Sequence, residues 1–145
     1  MAPLVVLVTV TLEARGLGAL AIDPLGTWPA AVTAGLVAML LVTASAHFAQ
    51  PRRAALVAMV PPRLPRPALL VTVTGVLEIV GAAGLLLPAT RPAAGICLAL
   101  LFVAMFPANV HAARASTGLR TMPLPARTAL QVVFVAACLV AAFAG

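Results

Sequence analysis

Residues 67–87 read PALLVTVTGVLEIVGAAGLLL, an apolar run whose one charged side chain, Glu78, lies near its middle. A helix of about 20 residues spans the roughly 30 Å of bilayer hydrocarbon. Pro67 stands where such a helix begins, at a position that needs no backbone N–H. The run therefore reads as a membrane-spanning helix, and it sets the reading of the rest.

Working outward, four more apolar segments of similar length appear, at residues 3–22, 29–49, 92–113 and 126–144. Pro29 and Pro92 mark further helix starts, and the remaining prolines gather in loops, except Pro107, which should kink the fourth segment or end it early. The expected fold is all-α: a single polytopic transmembrane domain over residues 1–145. Composition supports this. The chain is 63% hydrophobic and 8% charged, with a mean hydropathy of +1.17. Soluble domains carry about 25% charged residues, so a water-soluble globule of this size could not cover its surface. Ala19-Leu20-Ala21 imitates a signal-peptide cleavage site, yet no positive charge precedes the first run, and Glu13 and Arg15 interrupt it.

The nine basic residues are all arginines, giving a formal net charge of +6. No basic stripe interleaves with aromatics, so a nucleic-acid partner is not expected. The arginines instead follow topology. Successive loops hold none, four (Arg52, Arg53, Arg63, Arg66), one (Arg91) and three (Arg114, Arg120, Arg127). By the positive-inside rule, loops 50–66 and 114–127 are cytoplasmic, as is the N-terminus if the first segment spans; the expected setting is an inner (plasma) membrane of bacterial type. Trp28 is the one evident interfacial anchor. The stretch 51–67 places Leu56, Val57, Met59 and Val60 beside Arg52 and Arg53, as in a short amphipathic turn in the interface plane. A faint repeat is also visible. His47 and His111 each precede a Met-Pro-rich loop, so the second and third segments echo the fourth and fifth.

Polar groups inside apolar runs are the informative ones, because each needs a partner or an aqueous pocket. Glu78 shares a helical face with Thr74 and Gly81, and either carries a proton or ligand or hydrogen-bonds a neighbouring helix. Glu13 and Arg15, two residues apart, point to different sides of a helix and cannot satisfy each other. Arg15 falls at a depth similar to Glu78, so an interhelical ion pair is one expectation, and Arg15 reaching back to the headgroups is the other. His47, on a face with Thr43 and Gln50, and His111, beside Asn109, both fall near the cytoplasmic surface. They either hydrogen-bond and line a polar entrance or, less favoured, ligate haem or a metal. Cys97 and Cys138 form no C-x-x-C motif, and read as small core residues rather than a redox pair.

The ordered stretches His47-Phe48-Ala49-Gln50-Pro51, Met59-Val60-Pro61-Pro62-Arg63-Leu64-Pro65, Thr74-Gly75-Val76-Leu77-Glu78-Ile79 with Gly81 and Gly84, and Phe106-Pro107-Ala108-Asn109-Val110 resemble the DoxX and DoxX-like family of small membrane proteins. The resemblance covers about residues 30 to 144. It implies four core helices, with the first segment an additional hydrophobic helix. Members resemble the small membrane subunit of a thiosulfate:quinone oxidoreductase, or accompany other redox enzymes. The resemblance thus implies an accessory membrane subunit of a redox system, binding a lipophilic ligand such as a quinone or a partner protein. His47, Glu78 and Asn109 are family-like polar positions without an assigned catalytic role. No cofactor module is present in the chain, and haem is the weaker cofactor reading. A membrane oxidoreductase acting alone and a small transporter or channel are the competing functions. The lipid bilayer is the one firm partner, and a homo-oligomer is compatible with the composition.

Overall fold

A computed structural model describes residues 2–20, 25–114 and 122–144. Among them there are six helices and no strand: α1 (Ala2–Ala19), α2 (Trp28–Phe48), α3 (Arg52–Met59), α4 (Pro67–Leu86), α5 (Arg91–Arg114) and α6 (Leu124–Phe143). All but α3 are long and apolar enough to cross a membrane. Their outer faces bear exposed Leu69, Leu77, Val80, Leu100, Val103, Val132 and Phe143, a surface suited to hydrocarbon rather than water. Asp23 and Arg120 lie outside the described residues, as do the flanking positions 21–24 and 115–121.

Four helices form a closed ring in the order α2–α4–α5–α6, and α1 packs outside it, chiefly against α2. On α4 the buried positions Val71, Gly75, Glu78, Ala82 and Leu85 recur at alternating spacings of four and three, one stripe of a helix facing its neighbours. Leu36, Met39, Leu40, Leu85, Leu98 and Cys138 fill the centre. Small residues set the close approaches, as expected where lipid supplies no drive for helices to associate. A Cβ added at Gly95 would lie 2.7 Å from the Cys138 carbonyl oxygen on α6, and one at Gly75 would lie 2.6 Å from the His47 Cβ on α2.

α2 begins with Thr27, whose hydroxyl accepts from the Ala30 N–H at 3.3 Å. It stops at Phe48 because Pro51 cannot continue it and disfavours helical geometry at Gln50. That stop comes early. His47 sits beside Val71 and Gly75, four to eight residues beyond the start of α4, so α2 ends about 6–12 Å inside the level at which α4 begins. The space above it is partly filled by α3, which touches α2, α4 and α5. α3 is thus the amphipathic element read in the sequence, but its apolar side faces the bundle, with Leu56 and Met59 lining internal cavities. α5 continues through Pro107 to Arg114 rather than ending there.

Two further expectations are corrected. Cys138 is buried in the core, whereas Cys97 is exposed on the outer face of α5, and both are free. His47 is not near the surface: it is 4% exposed, because the early end of α2 sinks it into the bundle.

Candidate functional site

Glu78 is 2% exposed and meets α2 rather than α1. Its Oε2 lies 2.7 Å from the Thr43 hydroxyl, and its Oε1 lies 3.6 Å from His47 Nε2. The expected Arg15–Glu78 pair does not form, because α2 stands between α1 and α4. Arg15 instead lies over the Trp28 ring, 5.5 Å from its centroid, and Glu13 is exposed. The sulfur-free trio Thr43, Glu78 and His47 is therefore what α2 and α4 bury between them.

The orientation of His47 is fixed from behind. Its Nδ1 is 2.7 Å from the Val71 carbonyl oxygen, an atom that can only accept, so Nδ1 carries a hydrogen and donates. Thr74 stands 3.2 Å from the same nitrogen, its hydroxyl also bonded back to Leu70 and Val71. What remains is Nε2, facing Glu78. A single proton on the line between Nε2 and the carboxyl leaves the pair neutral whichever side holds it, the form a buried couple tolerates best. Thr43 accommodates both arrangements. Its hydroxyl donates to Oε2 at 2.7 Å, an oxygen that accepts whether the shared proton sits on Nε2 or on Oε1.

Arg53 holds this arrangement in place from α3. Its Nη1 donates to the His47 carbonyl, and its Nη2 reaches the Ala68 carbonyl at 3.1 Å and the Thr72 hydroxyl at 2.9 Å. One guanidinium thus closes the open end of α2 and ties it to the first turns of α4, as cations do at helix C-termini. Arg53→Ala is expected to speed amide hydrogen exchange across residues 49–66 at least tenfold while leaving α5 and α6 protected. Uniform exchange in wild type and variant would show that the clamp contributes nothing.

In front of Thr43, His47 and Glu78 lies a cavity of about 450 Å³. It opens among the N-terminal ends of α1 and α6, the C-terminal part of α2 and the start of α3. Leu56, Phe102, Met105, Leu130 and Phe134 form its apolar wall; Arg52, Asn109, Arg127 and Gln131 supply its other polar groups. Arg127 donates from Nε to the Met122 carbonyl at 3.0 Å and from Nη1 to Asn109 Oδ1 at 3.2 Å. Gln131, one turn further along α6, has its amide nitrogen buried without a hydrogen-bond partner. A buried donor left unpaired costs about 1–3 kcal/mol, and Arg15 Nε on α1 is in the same position.

A second cavity of about 330 Å³ lies under α3 between α4 and α5, lined almost wholly by apolar groups including Met59, Val60, Leu70, Leu101 and Ala108. His111 is apart from these, facing a shallower surface recess with Pro61, Arg63 and Arg114. The two histidines line different cavities, and no cluster of three metal-ligating side chains occurs among the described residues.

Of the residues singled out in the sequence, the structure brings together Glu78, His47, Thr74 and Asn109 around the cavities, and leaves Arg15, Glu13 and His111 elsewhere. Thr43 had been placed on the His47 face. Gln131 had no assigned role, and Arg53 and Arg127 had been read as loop charges. Gln131 could have been found, since it is the lone amide in an apolar run and the rule that singles out Glu78 applies to it equally.

Residues 36–142 match the family described as Domain of unknown function (DUF8561). Neither the curated proteins nor the solved structures contain a match to the chain.

Proposed function

Since the chain belongs to the DUF8561 family, whose matched span includes every side chain lining the larger cavity except Ala2 and Pro3, we propose that holding a lipophilic molecule in that cavity is its function. The molecule carries a hydrogen-bond-accepting head, as a quinone does, and the protein serves as a DoxX-like accessory membrane subunit of a redox system. What supports this reading is the cavity itself, with Gln131, whose amide nitrogen is buried and unpartnered, in its lining. Beside it are Arg127, which retains N–H groups beyond the two it commits, and Asn109. A carbonyl oxygen in the cavity can accept from the uncommitted N–H groups of Arg127, and the Glu78–His47 couple, neutral while it holds its one proton, lines the same space. The apolar wall of Phe102, Leu130 and Phe134 suits a ring.

The orientation belongs to the same proposal. Arg52, Arg53, Arg63, Arg66, Arg114 and Arg127 gather at the end of the bundle where the cavity opens, and Arg15 and Arg91 at the other. The positive-inside rule puts that opening on the cytoplasmic face of the plasma membrane, within reach of a soluble redox partner.

Detergent-purified protein is expected to carry endogenous quinone, detectable in an organic extract by its ultraviolet spectrum. Gln131→Leu should lower the bound fraction at least tenfold and, by removing an unpaired donor, raise the stability of the ligand-free protein by about 1 kcal/mol. Protein that neither carries nor takes up quinone would sink the proposal, as would Gln131→Leu leaving uptake unchanged.

A further inference from the structure

His47, Leu56, Met105 and Asn109 line both cavities, so the two voids share one wall. They differ in chemistry. The larger offers free N–H capacity at Arg127, with Gln131 beside it in the lining. In the smaller, His47 Nδ1 is engaged with the Val71 carbonyl, the Thr74 hydroxyl with the carbonyls of Leu70 and Val71, and Asn109 Oδ1 with Arg127. What the smaller one presents is aliphatic surface, ending at Leu70 and Ala104, which are exposed on the outer faces of α4 and α5. The partition itself is soft. Leu56 comes from the short α3, and Met105 has an unbranched side chain that changes rotamer readily.

Resting on the ligand reading above, we infer that the two cavities form one passage for a single amphipathic molecule. Its accepting head lies against Gln131 and Arg127, and its hydrocarbon tail passes between Leu56 and Met105, beneath α3, and leaves between α4 and α5 into lipid. The ligand class is therefore a head joined to a long flexible tail, not a compact apolar molecule. α3 is the cover of the tail path, which explains why its apolar side faces inward.

The test uses the full-length protein in detergent and a dimethoxy-methyl-benzoquinone bearing a decyl tail that ends in a diazirine. Illumination followed by peptide mapping reports where the tail lies, and the tailless benzoquinone serves as competitor for the head site. Adducts are expected on residues 59–64 and on the first turns of α4, suppressed by the competitor. Ala108→Phe, which fills the smaller cavity without lining the larger, should reduce them at least tenfold, and Ala104→Phe serves equally if the first variant does not fold. Competed adducts on α1 or α6 instead would show that the head binds but the tail leaves by another route, overturning the passage. Adducts that persist undiminished in both variants would overturn it too. If no adduct anywhere is suppressed by the tailless ring, the ligand reading fails, and this inference with it.

Discussion

Glu78→Ala is expected to destabilise the protein by about 3–5 kcal/mol, read as a lower midpoint in thermal or denaturing-detergent unfolding followed by circular dichroism. The magnitude comes from what is left behind. His47 remains pinned by the Val71 carbonyl, with its Nε2 facing a void, and the Thr43 hydroxyl loses its 2.7 Å partner. His47, 4% exposed, cannot turn to water without moving the end of α2. Glu78→Gln separates structure from proton chemistry. The amide keeps a hydrogen bond with Thr43 and fills the same volume, so it should cost only about 1 kcal/mol, while a proton can no longer pass to a ligand. If alanine and glutamine were equally mild, the couple would not hold α2 to α4.

The second large effect is expected at Gly75. A Cβ there would lie 2.6 Å from the Cβ and 2.9 Å from the Cγ of His47, and 3.1 Å from the Phe48 ring. The obstructing atoms are the root of a side chain rather than its tip, and the end of α2 is tied down by Arg53, so neither can yield cheaply. Gly75→Val should therefore cost about 3 kcal/mol or more, combining overpacking with the loss of the His47 contacts, and quinone uptake should fall with it. Gly16→Ala, in α1, is the internal control. Its added methyl meets nothing within 4 Å, and a helical Gly→Ala change recovers up to about 1 kcal/mol of propensity. The control should be neutral or slightly stabilising. Equal losses at both positions would mean that replacing any helical glycine, rather than crowding the His47 junction, sets the sensitivity.

Residues such as Glu78 show why part of this was legible in the sequence. A carboxyl in a run like 67–87 must find a partner on another helix, and the apolar runs alone were enough to give five long helices. The choice of partner was not legible. Counting along the runs gives Arg15 and Glu78 similar depth, but Arg15 stands beside Trp28 and Glu78 beside Thr43, about 22 Å apart along α2, and the ring order puts α2 between them. His47 was misplaced for a related reason. Counting along α2 puts it at a helix end, and helix ends are ordinarily at the surface. Only the contact with Gly75 reveals that this helix finishes inside the bundle. Arg127 was read as a loop charge because its segment was begun at 126. With α6 starting at Leu124, the same side chain becomes the fourth residue of a helix and joins the cavity wall.

The early finish of α2 has a counterpart at the opposite end. From the common level of His47 and Gly75, α2 runs on for about 28 Å to Trp28, whereas α4 has only about 16 Å left before Leu86. Each helix matches the thickness of a bilayer, but α2, with α1 against it, is out of step with the rest of the ring. In a membrane, leaflets that wet both halves must climb or dip on passing from one side of the protein to the other. The mismatch costs a fraction of a kcal/mol per ångström unless the α1–α2 hairpin tilts.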